Sequence, residues 1–148
     1  MLSTTAEHAL RALSEVASLE EGESILGKDL ARVAGIPANY LSKLLLVLGN
    51  AGIIDATRGS GGGYRLRRKA ADIRLREVVE LFDRQKLECR CLLGGTKECS
   101  EEDQCGAHEE WRRVRASYVD FFGKTTLAQI TRRRRGNVIP IGAPESPT

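Results

Sequence analysis

The chain has 148 residues, a length that suits one domain with a hydrophobic core and an appended element, and not two full domains. Its formal net charge of +3 only weakly indicates a polyanionic partner, because many soluble proteins share such a balance. The longest apolar run, residues 44–48, is too short to cross a bilayer, and no secretory signal precedes it. We therefore expect a cytoplasmic protein without membrane contact, whose four cysteines are thiols or metal ligands.

The first part of the chain has the pattern of a helix-turn-helix. Apolar residues recur at helical spacing between positions 9 and 17, and the acidic stretch 21–23 is expected to end this helix. A second, short helix ends at Gly35, and Pro37 suits the first turn of a third helix, where its missing N–H has no helical partner. The first helix has three candidate caps: Ser3, Thr4 and Thr5. The third helix turns three leucines inward: Leu41, Leu44 and Leu48.

Two short extended segments follow, residues 53–58 and 64–67, and the glycine-rich stretch 59–63 joins them. A loop so rich in glycine permits positive φ angles and close approach of the backbone. A hairpin directly after a helix-turn-helix is the pattern of a wing, so the sequence predicts a winged helix.

The third helix and the wing carry the candidate DNA contacts. A helix about 10–12 Å wide fits the major groove, where its first turn meets base edges. Asn39 is suited to pair with adenine and Lys43 with guanine or phosphate, whereas Tyr40 and Ser42 are suited to phosphate oxygens. At the wing, Arg58 is suited to the minor groove. Four further basic residues are suited to phosphates: Arg65, Arg67, Arg68 and Lys69. On pattern alone, a protein-binding role for the same three-helix core stays open.

The second half of the chain predicts two more helices. One runs from about residue 75 to 82, with Asp72 as its expected cap, and periodicity then vanishes over residues 87–106. A longer amphipathic helix begins near Ala107 and ends at Gly123, with a final turn at 127–130. One stripe of this helix is expected to form a dimer core: Trp111, Val114, Tyr118, Phe121 and Phe122. Residues 132–148 are basic and then rich in Pro and Gly, and we expect a disordered tail.

Three stretches taken together resemble one family of bacterial regulators. They are NYLSKLL at 39–45, RGSGGGYRL at 58–66 and the cysteine segment. Over residues 1–130 the chain resembles the Rrf-two family, the group that includes IscR, NsrR and RirA. The resemblance implies a homodimer in which two winged helices read a pseudo-palindromic operator in double-stranded DNA and a long helix pairs the subunits. It also implies recognition-helix contacts from Tyr40, Ser42 and Lys43 and wing contacts from Arg58, Gly59, Ser60 and Gly61.

The cysteine segment is the candidate sensor. Cys91, Cys99 and Cys105 are separated by seven and five residues, and His108 lies three positions beyond Cys105. Soft thiolates favour iron–sulfur clusters, zinc and copper(I), and a loop lets three of them converge. Many members of the family hold an iron–sulfur cluster here, so the resemblance implies a 2Fe-2S or 4Fe-4S cluster on these three cysteines.

Three cysteines leave a fourth ligand position open. His108 matches the histidine of the IscR pattern and is preferred because it is local, whereas Glu7 matches the position from which some relatives send a carboxylate across the dimer. IscR has a first gap that is shorter by two residues, which leaves the cluster type open. His8 is a distant third candidate and is expected instead to be a solvated helix residue. Zinc on the same Cys3His set and a metal-free thiol switch that includes Cys89 are the alternatives.

The sequence thus predicts a mostly α-helical protein with a small β wing, in which a winged helix-turn-helix domain is joined to a long C-terminal dimerisation helix. The predicted function is a transcription regulator that senses iron–sulfur status, redox state or nitric oxide. Cluster assembly is expected to order residues 87–106 and thereby set the distance between two recognition helices.

An enzyme is not expected, because no C-x-x-C motif is present and His8 and His108 are the only histidines. A cluster-delivery scaffold would not need the wing. The predicted divisions are a DNA-binding domain at 1–70, a connecting helix at 71–86, a cysteine loop at 87–106, a dimerisation region at 107–131 and a tail at 132–148.

Overall fold

Helices dominate the computed structural model, which describes residues 2–87, 91–93, 102 and 104–131. The helices are α1 (Thr4–Ala17), α2 (Gly27–Ala34), α3 (Ala38–Asn50), α4 (Leu75–Leu87), α5 (His108–Lys124) and α6 (Leu127–Ile130), with a 3₁₀ helix at Ala70–Asp72. Strands β1 (Ile54–Thr57) and β2 (Gly63–Leu66) pair antiparallel, with Ile54 opposite Leu66. Among these residues, no helix combines the length and the apolar character that a bilayer crossing requires.

The core lies between α1, α2 and α3 and continues to the start of α4 and to α6. Small side chains on α1, Ala9 and Ala12, are fully buried, and they let the neighbouring helices approach closely. Ile73, Val78 and Leu127 belong to the same core, so the second half of the chain packs directly on the winged helix. Three leucines at its centre come from three different helices: Leu13, Leu30 and Leu48.

The starts and ends of the first three helices follow the sequence with one exception. The Ser3 hydroxyl accepts a hydrogen bond from the Ala6 backbone N–H at 3.1 Å, so Ser3 is the cap of α1 among the three candidates, and Thr4 and Thr5 lie inside the helix. Gly35 ends α2 in the left-handed conformation, with φ 64°, and Pro37 immediately precedes α3. The predicted end of α1 at residues 21–23 is wrong. The Ser18 backbone N–H and hydroxyl both bond to the Glu15 carbonyl, so the helix ends at Ala17.

The predicted cap of α4 is also wrong. Asp72 is the last residue of the 3₁₀ helix, and α4 begins three residues later, at Leu75. Glu77 does the capping from inside the helix, because its carboxylate accepts from the Arg74 backbone N–H at 3.1 Å. At the other end of the chain, α5 runs one residue past Gly123, the predicted stop.

The wing is fixed to the segment that precedes α2. The Tyr64 N–H donates to the Ile25 carbonyl at 2.8 Å, and the Ile25 N–H donates back to the Tyr64 carbonyl at 3.0 Å. Gly63 makes this pairing possible, because a Cβ at this position would lie 2.5 Å from the Ile25 oxygen, and its φ is 141°. The Ser24 hydroxyl adds a bond to the Gly61 carbonyl at 3.0 Å. The hairpin and the helix-turn-helix are therefore one unit.

Helices α4 and α5 are joined where the first begins and the second ends. The Leu75 N–H donates to the Thr125 carbonyl at 2.9 Å, and the Leu127 N–H donates to the Ile73 carbonyl at 2.8 Å. Phe122 packs beside this junction in a small second core, against Leu75 and Val79. The cysteine segment lies in the chain between the opposite ends of the two helices.

A buried carboxylate connects α4 to the start of α1. Asp83 departs from helical geometry, with φ −135° and ψ 32°, and only 7% of its surface is exposed. Its Oδ2 accepts a hydrogen bond from the Ser3 backbone N–H at 2.6 Å. Ser3 lies at the N-terminal end of α1, where the helix dipole favours a negative charge. Burial, and then the nearby Asp83 charge, raise the pKa of Tyr118 on α5. Asp83 therefore bonds α4 to the start of α1, and its charge also acts on Tyr118 of α5.

We predict that Gly63→Ala lowers the free energy of unfolding by at least about 2 kcal/mol, because a methyl group clashes with the Ile25 backbone at an unfavourable φ. Gly123→Ala is the control. It adds a methyl group in open space on α5, where alanine favours the helix by up to about 1 kcal/mol. Urea unfolding of both full-length variants measures the difference. Equal stabilities would contradict the close approach of the wing to Ile25.

We also predict that Asp83→Ala costs about 1–3 kcal/mol of stability, because it leaves the Ser3 N–H without its acceptor. Asp83→Asn keeps an oxygen acceptor at this position and is expected to lose clearly less. The same urea titration compares the two variants. If asparagine and alanine destabilise the protein equally, the hydrogen bond to Ser3 is not what Asp83 contributes.

Candidate DNA interface and cysteine segment

One face of α3 is open to solvent over its full length. Asn39, Ser42 and Lys43 are exposed there, whereas Leu41, Leu44 and Leu48 are buried, as predicted from the helical spacing. Asn39 caps its own helix, because its Oδ1 accepts from the Tyr40 backbone N–H at 2.9 Å. The Ser42 hydroxyl donates to the Ala38 carbonyl at 2.9 Å and keeps its oxygen lone pairs outward. The face presents hydrogen-bonding groups and one positive charge.

A large apolar residue on the same face had no role in the sequence analysis. Leu46 is 65% exposed, and it follows Ser42 by four residues and Lys43 by three, which places the three side chains on one stripe. The exposure of Leu46 could have been predicted from the sequence, because the helical spacing that buries Leu44 and Leu48 places Leu46 on the opposite side of α3.

Tyr40 is held against α1. Its hydroxyl donates to the Thr5 hydroxyl at 2.7 Å, and its ring meets the His8 ring edge-on, with 5.5 Å between centroids. The phosphate contact predicted for Tyr40 stays a prediction. It requires Thr5 to become the donor, so that the Tyr40 proton is available for a phosphate.

The description of His8 as a solvated residue is wrong, because His8 is half-buried and its Nδ1 has no partner among the described residues.

The wing presents two arginines to solvent. Arg58, at the end of β1, and Arg65, on β2, are exposed and have no ion pair within the described residues. Between them, Gly59, Ser60 and Gly61 form an exposed tip. Positive φ angles at Gly59 and Gly61, 97° and 76°, produce the tight turn that brings the two strands together.

The next two arginines are already paired with carboxylates. The Arg67 Nε lies 2.8 Å from Asp55 across the hairpin, and an Arg68 guanidinium nitrogen lies 2.7 Å from Glu77 on α4. The pKa of Glu77 is lowered: partial burial opposes the shift, but the Arg68 hydrogen bond and the Arg74 backbone N–H outweigh it. Arg67 and Arg68 therefore stabilise the fold of the wing first, and phosphate contact from them must compete with these ion pairs.

Two of the four cysteines lie in the described part of the chain. Cys91 and Cys105 are half-buried, and neither forms a disulfide. The Cys105 carbonyl accepts from the His108 backbone N–H at 3.0 Å, so this cysteine lies within one turn of the start of α5. Cys89 and Cys99 lie outside the described residues. Within those residues, no three His, Cys, Asp or Glu side chains come together as a metal site.

The two candidate fourth ligands lie on different helices. His108 is the first residue of α5 and is half-buried. Glu7 is exposed in the first turn of α1, where its charge also favours the N-terminal end of the helix dipole. Both stay predictions.

The predicted apolar stripe of α5 divides into two parts. Phe122 is buried within the chain, and Tyr118 packs beside it with 4.8 Å between ring centroids. Val114 is 59% exposed, and Phe121 is exposed as well. One edge of the stripe belongs to the core of a single chain, and the other edge is left as apolar surface.

Comparison with known proteins identifies the protein family of this chain. A family model described as "Rrf2: Iron-dependent Transcriptional regulator" matches residues 2–133. IscR of Escherichia coli O1:K1 / APEC, an HTH-type transcriptional regulator, is 30% identical over 129 residues, which cover 87% of this chain and 78% of that protein. The relatives are transcription regulators and not enzymes, as the sequence predicted.

Solved structures share the fold. CymR of B. subtilis, described as the global cysteine regulator of that organism, superimposes with a TM-score of 0.72 over 86% of this chain and 92% of its own, at 24% identity. CymR of Staphylococcus aureus gives a TM-score of 0.65 at 29% identity, over 84% of this chain and 93% of its own. The match of the family model over nearly the whole chain, together with these likenesses, establishes that the chain belongs to the Rrf2 family of transcriptional regulators.

Proposed function

We propose that this chain acts as a homodimer that binds a pseudo-palindromic operator in double-stranded DNA and senses iron–sulfur status, redox state or nitric oxide through Cys91, Cys99 and Cys105. The observation that carries the DNA-binding part is the exposed face of α3 beside an exposed arginine-bearing wing, both held in one unit. Helices of this width enter the major groove, and an arginine at a glycine tip suits the minor groove.

The charges that meet DNA in this proposal are the ones not used elsewhere. Lys43, Arg58 and Arg65 have no carboxylate partner within the described residues, so bringing phosphates to them breaks no ion pair. Each phosphate contact releases counterions, which makes the affinity depend on salt. Asn39 supplies uncharged hydrogen-bonding groups that discriminate between base edges. Ser42 is proposed as a phosphate contact, which requires its hydroxyl proton to leave the Ala38 carbonyl.

Dimerisation is proposed through the exposed edge of α5. Val114 and Phe121 lie on this edge, and their burial against a second copy removes apolar area from water. Two-fold symmetry of the protein suits an operator with two half-sites. The distance between the two recognition helices then depends on how each α5 is held against its own winged helix.

The donor set of the cysteine segment fits an iron–sulfur cluster. Thiolates from Cys91, Cys99 and Cys105 would supply three ligands, and His108, or else Glu7 of the second copy, would supply the fourth. Such a cluster supplies sensitivity to oxidants, nitric oxide and iron supply. Cys105 is bonded through its carbonyl to the first residue of α5, so the position of this thiol is tied to the start of the proposed dimer helix. The family description as iron-dependent supports this reading over zinc and over a metal-free thiol switch.

For the DNA interface we predict that Lys43→Ala and Arg58→Ala each weaken binding to a selected operator by about tenfold. The operator is obtained by selection from random double-stranded DNA with the full-length protein, and the affinities are measured by fluorescence anisotropy at several salt concentrations. Removing a residue that contacts a phosphate also reduces the magnitude of the slope of log K against log salt by about one.

Arg113→Ala is the matched control for this experiment. It removes the same kind of charge from an exposed position on α5, outside the proposed DNA face, and is expected to leave affinity and slope unchanged. If Lys43→Ala and Arg58→Ala behave like this control, the proposed face is not the DNA interface.

For the cluster we predict that protein purified without oxygen shows visible absorbance together with stoichiometric iron and acid-labile sulfide. Serine at position 91, 99 or 105 is expected to abolish the colour, because each thiolate is a ligand. Cys89→Ser, the control within the same segment, is expected to keep it. Comparing the spectra of His108→Ala and Glu7→Ala then identifies the fourth ligand. A colourless protein with one zinc per chain, or with no metal, would overturn this part of the proposal and leave DNA binding intact.

A further inference from the structure

Leu46 lies at the centre of the exposed face of α3. At 100° per residue, Asn39, Ser42, Lys43, Leu46 and Asn50 fall within a stripe about 100° wide. All five are exposed, and Leu46 points away from the buried Leu44 and Leu48 on the opposite side. A leucine at the edge of a helix often covers core residues, but this one is 65% exposed. It is the only large apolar side chain in the stripe.

The chemistry of the major groove limits what such a side chain can meet. The floor of the groove carries hydrogen-bond donors and acceptors at every base pair, and its apolar group is the 5-methyl of thymine. A leucine pressed against a donor or acceptor leaves that group without water and without a partner, which is unfavourable. A leucine pressed against a thymine methyl loses nothing and removes apolar area from water.

The position along the helix fits a reading role of its own. Leu46 follows Asn39 by seven residues, which is about 10 Å along the helix axis at 1.5 Å per residue. Ser42 and Lys43 lie one turn before it on the same stripe. Leu46 therefore reaches a part of the groove separate from the one that the first turn of α3 meets.

We infer that Leu46 is a specificity-determining residue that recognises thymine through its methyl group. The inference rests on the proposed function, because it requires the exposed face of α3 to enter the major groove. It adds an apolar contact to an interface that otherwise consists of hydrogen-bonding and charged groups. The operator of this chain should accordingly prefer thymine over cytosine, adenine or guanine at one position in each half-site.

The test removes the 5-methyl group of thymine from one side of the proposed contact and the isopropyl group of Leu46 from the other. Each thymine of the selected operator is replaced in turn by uracil, which lacks only the 5-methyl group, and affinities are measured for wild-type protein and for Leu46→Ala. In each half-site, we expect one thymine whose single replacement by uracil weakens wild-type binding about fourfold. This is the effect of losing one buried methyl group, which is worth about 0.8 kcal/mol. The same replacement should leave the affinity of Leu46→Ala unchanged.

Leu81→Ala is the control variant. It makes the same chemical change at another partly exposed leucine, on α4 and outside the stripe, and should keep the full response to uracil. If wild-type protein binds its operator but no uracil effect disappears with Leu46→Ala, the inference fails and the proposed function stands. If wild-type protein selects no DNA sequence, the proposed function itself fails. Dissociation of the dimer by Leu46→Ala would also overturn the inference, because Leu46 would then be covered by a second copy.

Discussion

The pairing of Ile25 with Tyr64 is the contact on which the arrangement of the winged helix depends. Two backbone hydrogen bonds hold the hairpin against the segment before α2, and they form only because Gly63 has no side chain. Without this pairing, a two-stranded hairpin would be only marginally stable in water. With it, the tip at Gly59–Gly61 and the exposed face of α3 keep a fixed separation, which is what binding to two adjacent grooves of one duplex requires.

Five basic residues on α3, in the wing and directly after it divide into two groups. Arg67 and Arg68 bind Asp55 and Glu77 and so fix the hairpin to itself and to α4. Lys43, Arg58 and Arg65 have no such partner within the described ranges and face solvent. Counting basic residues in the sequence would therefore overstate the number of charges ready for phosphates. The distinction depends on which carboxylate the fold brings within 3 Å, and spacing in the sequence does not reveal it.

Much of the fold could be predicted from local patterns, because those patterns have local causes. Ser3, Gly35 and the leucines of α3 act within one or two turns of their own helices, and each was placed correctly. Errors arose where a distant or competing partner decides. Glu77 replaces Asp72 as the cap of α4, and Tyr40 covers His8 instead of leaving it in water. The convergence of Cys91, Cys99 and Cys105 is a long-range property of the same kind, and it stays a prediction.

The backbone junction between α4 and α5 has a mechanical consequence. Both helices are bound to each other at Ile73–Leu75 and Thr125–Leu127, while the cysteine segment connects their far ends. Two helices bonded at one end can change their separation most at the other end. For α4 and α5, that end is the one next to Cys105. Helix α5 has 17 residues, so it is roughly 25 Å long at 1.5 Å per residue. Asp83 on α4 is hydrogen-bonded to the start of α1, and α1 carries the Thr5 hydroxyl that bonds Tyr40. A change in the angle between α4 and α5 would therefore be transmitted to α1 and to Tyr40.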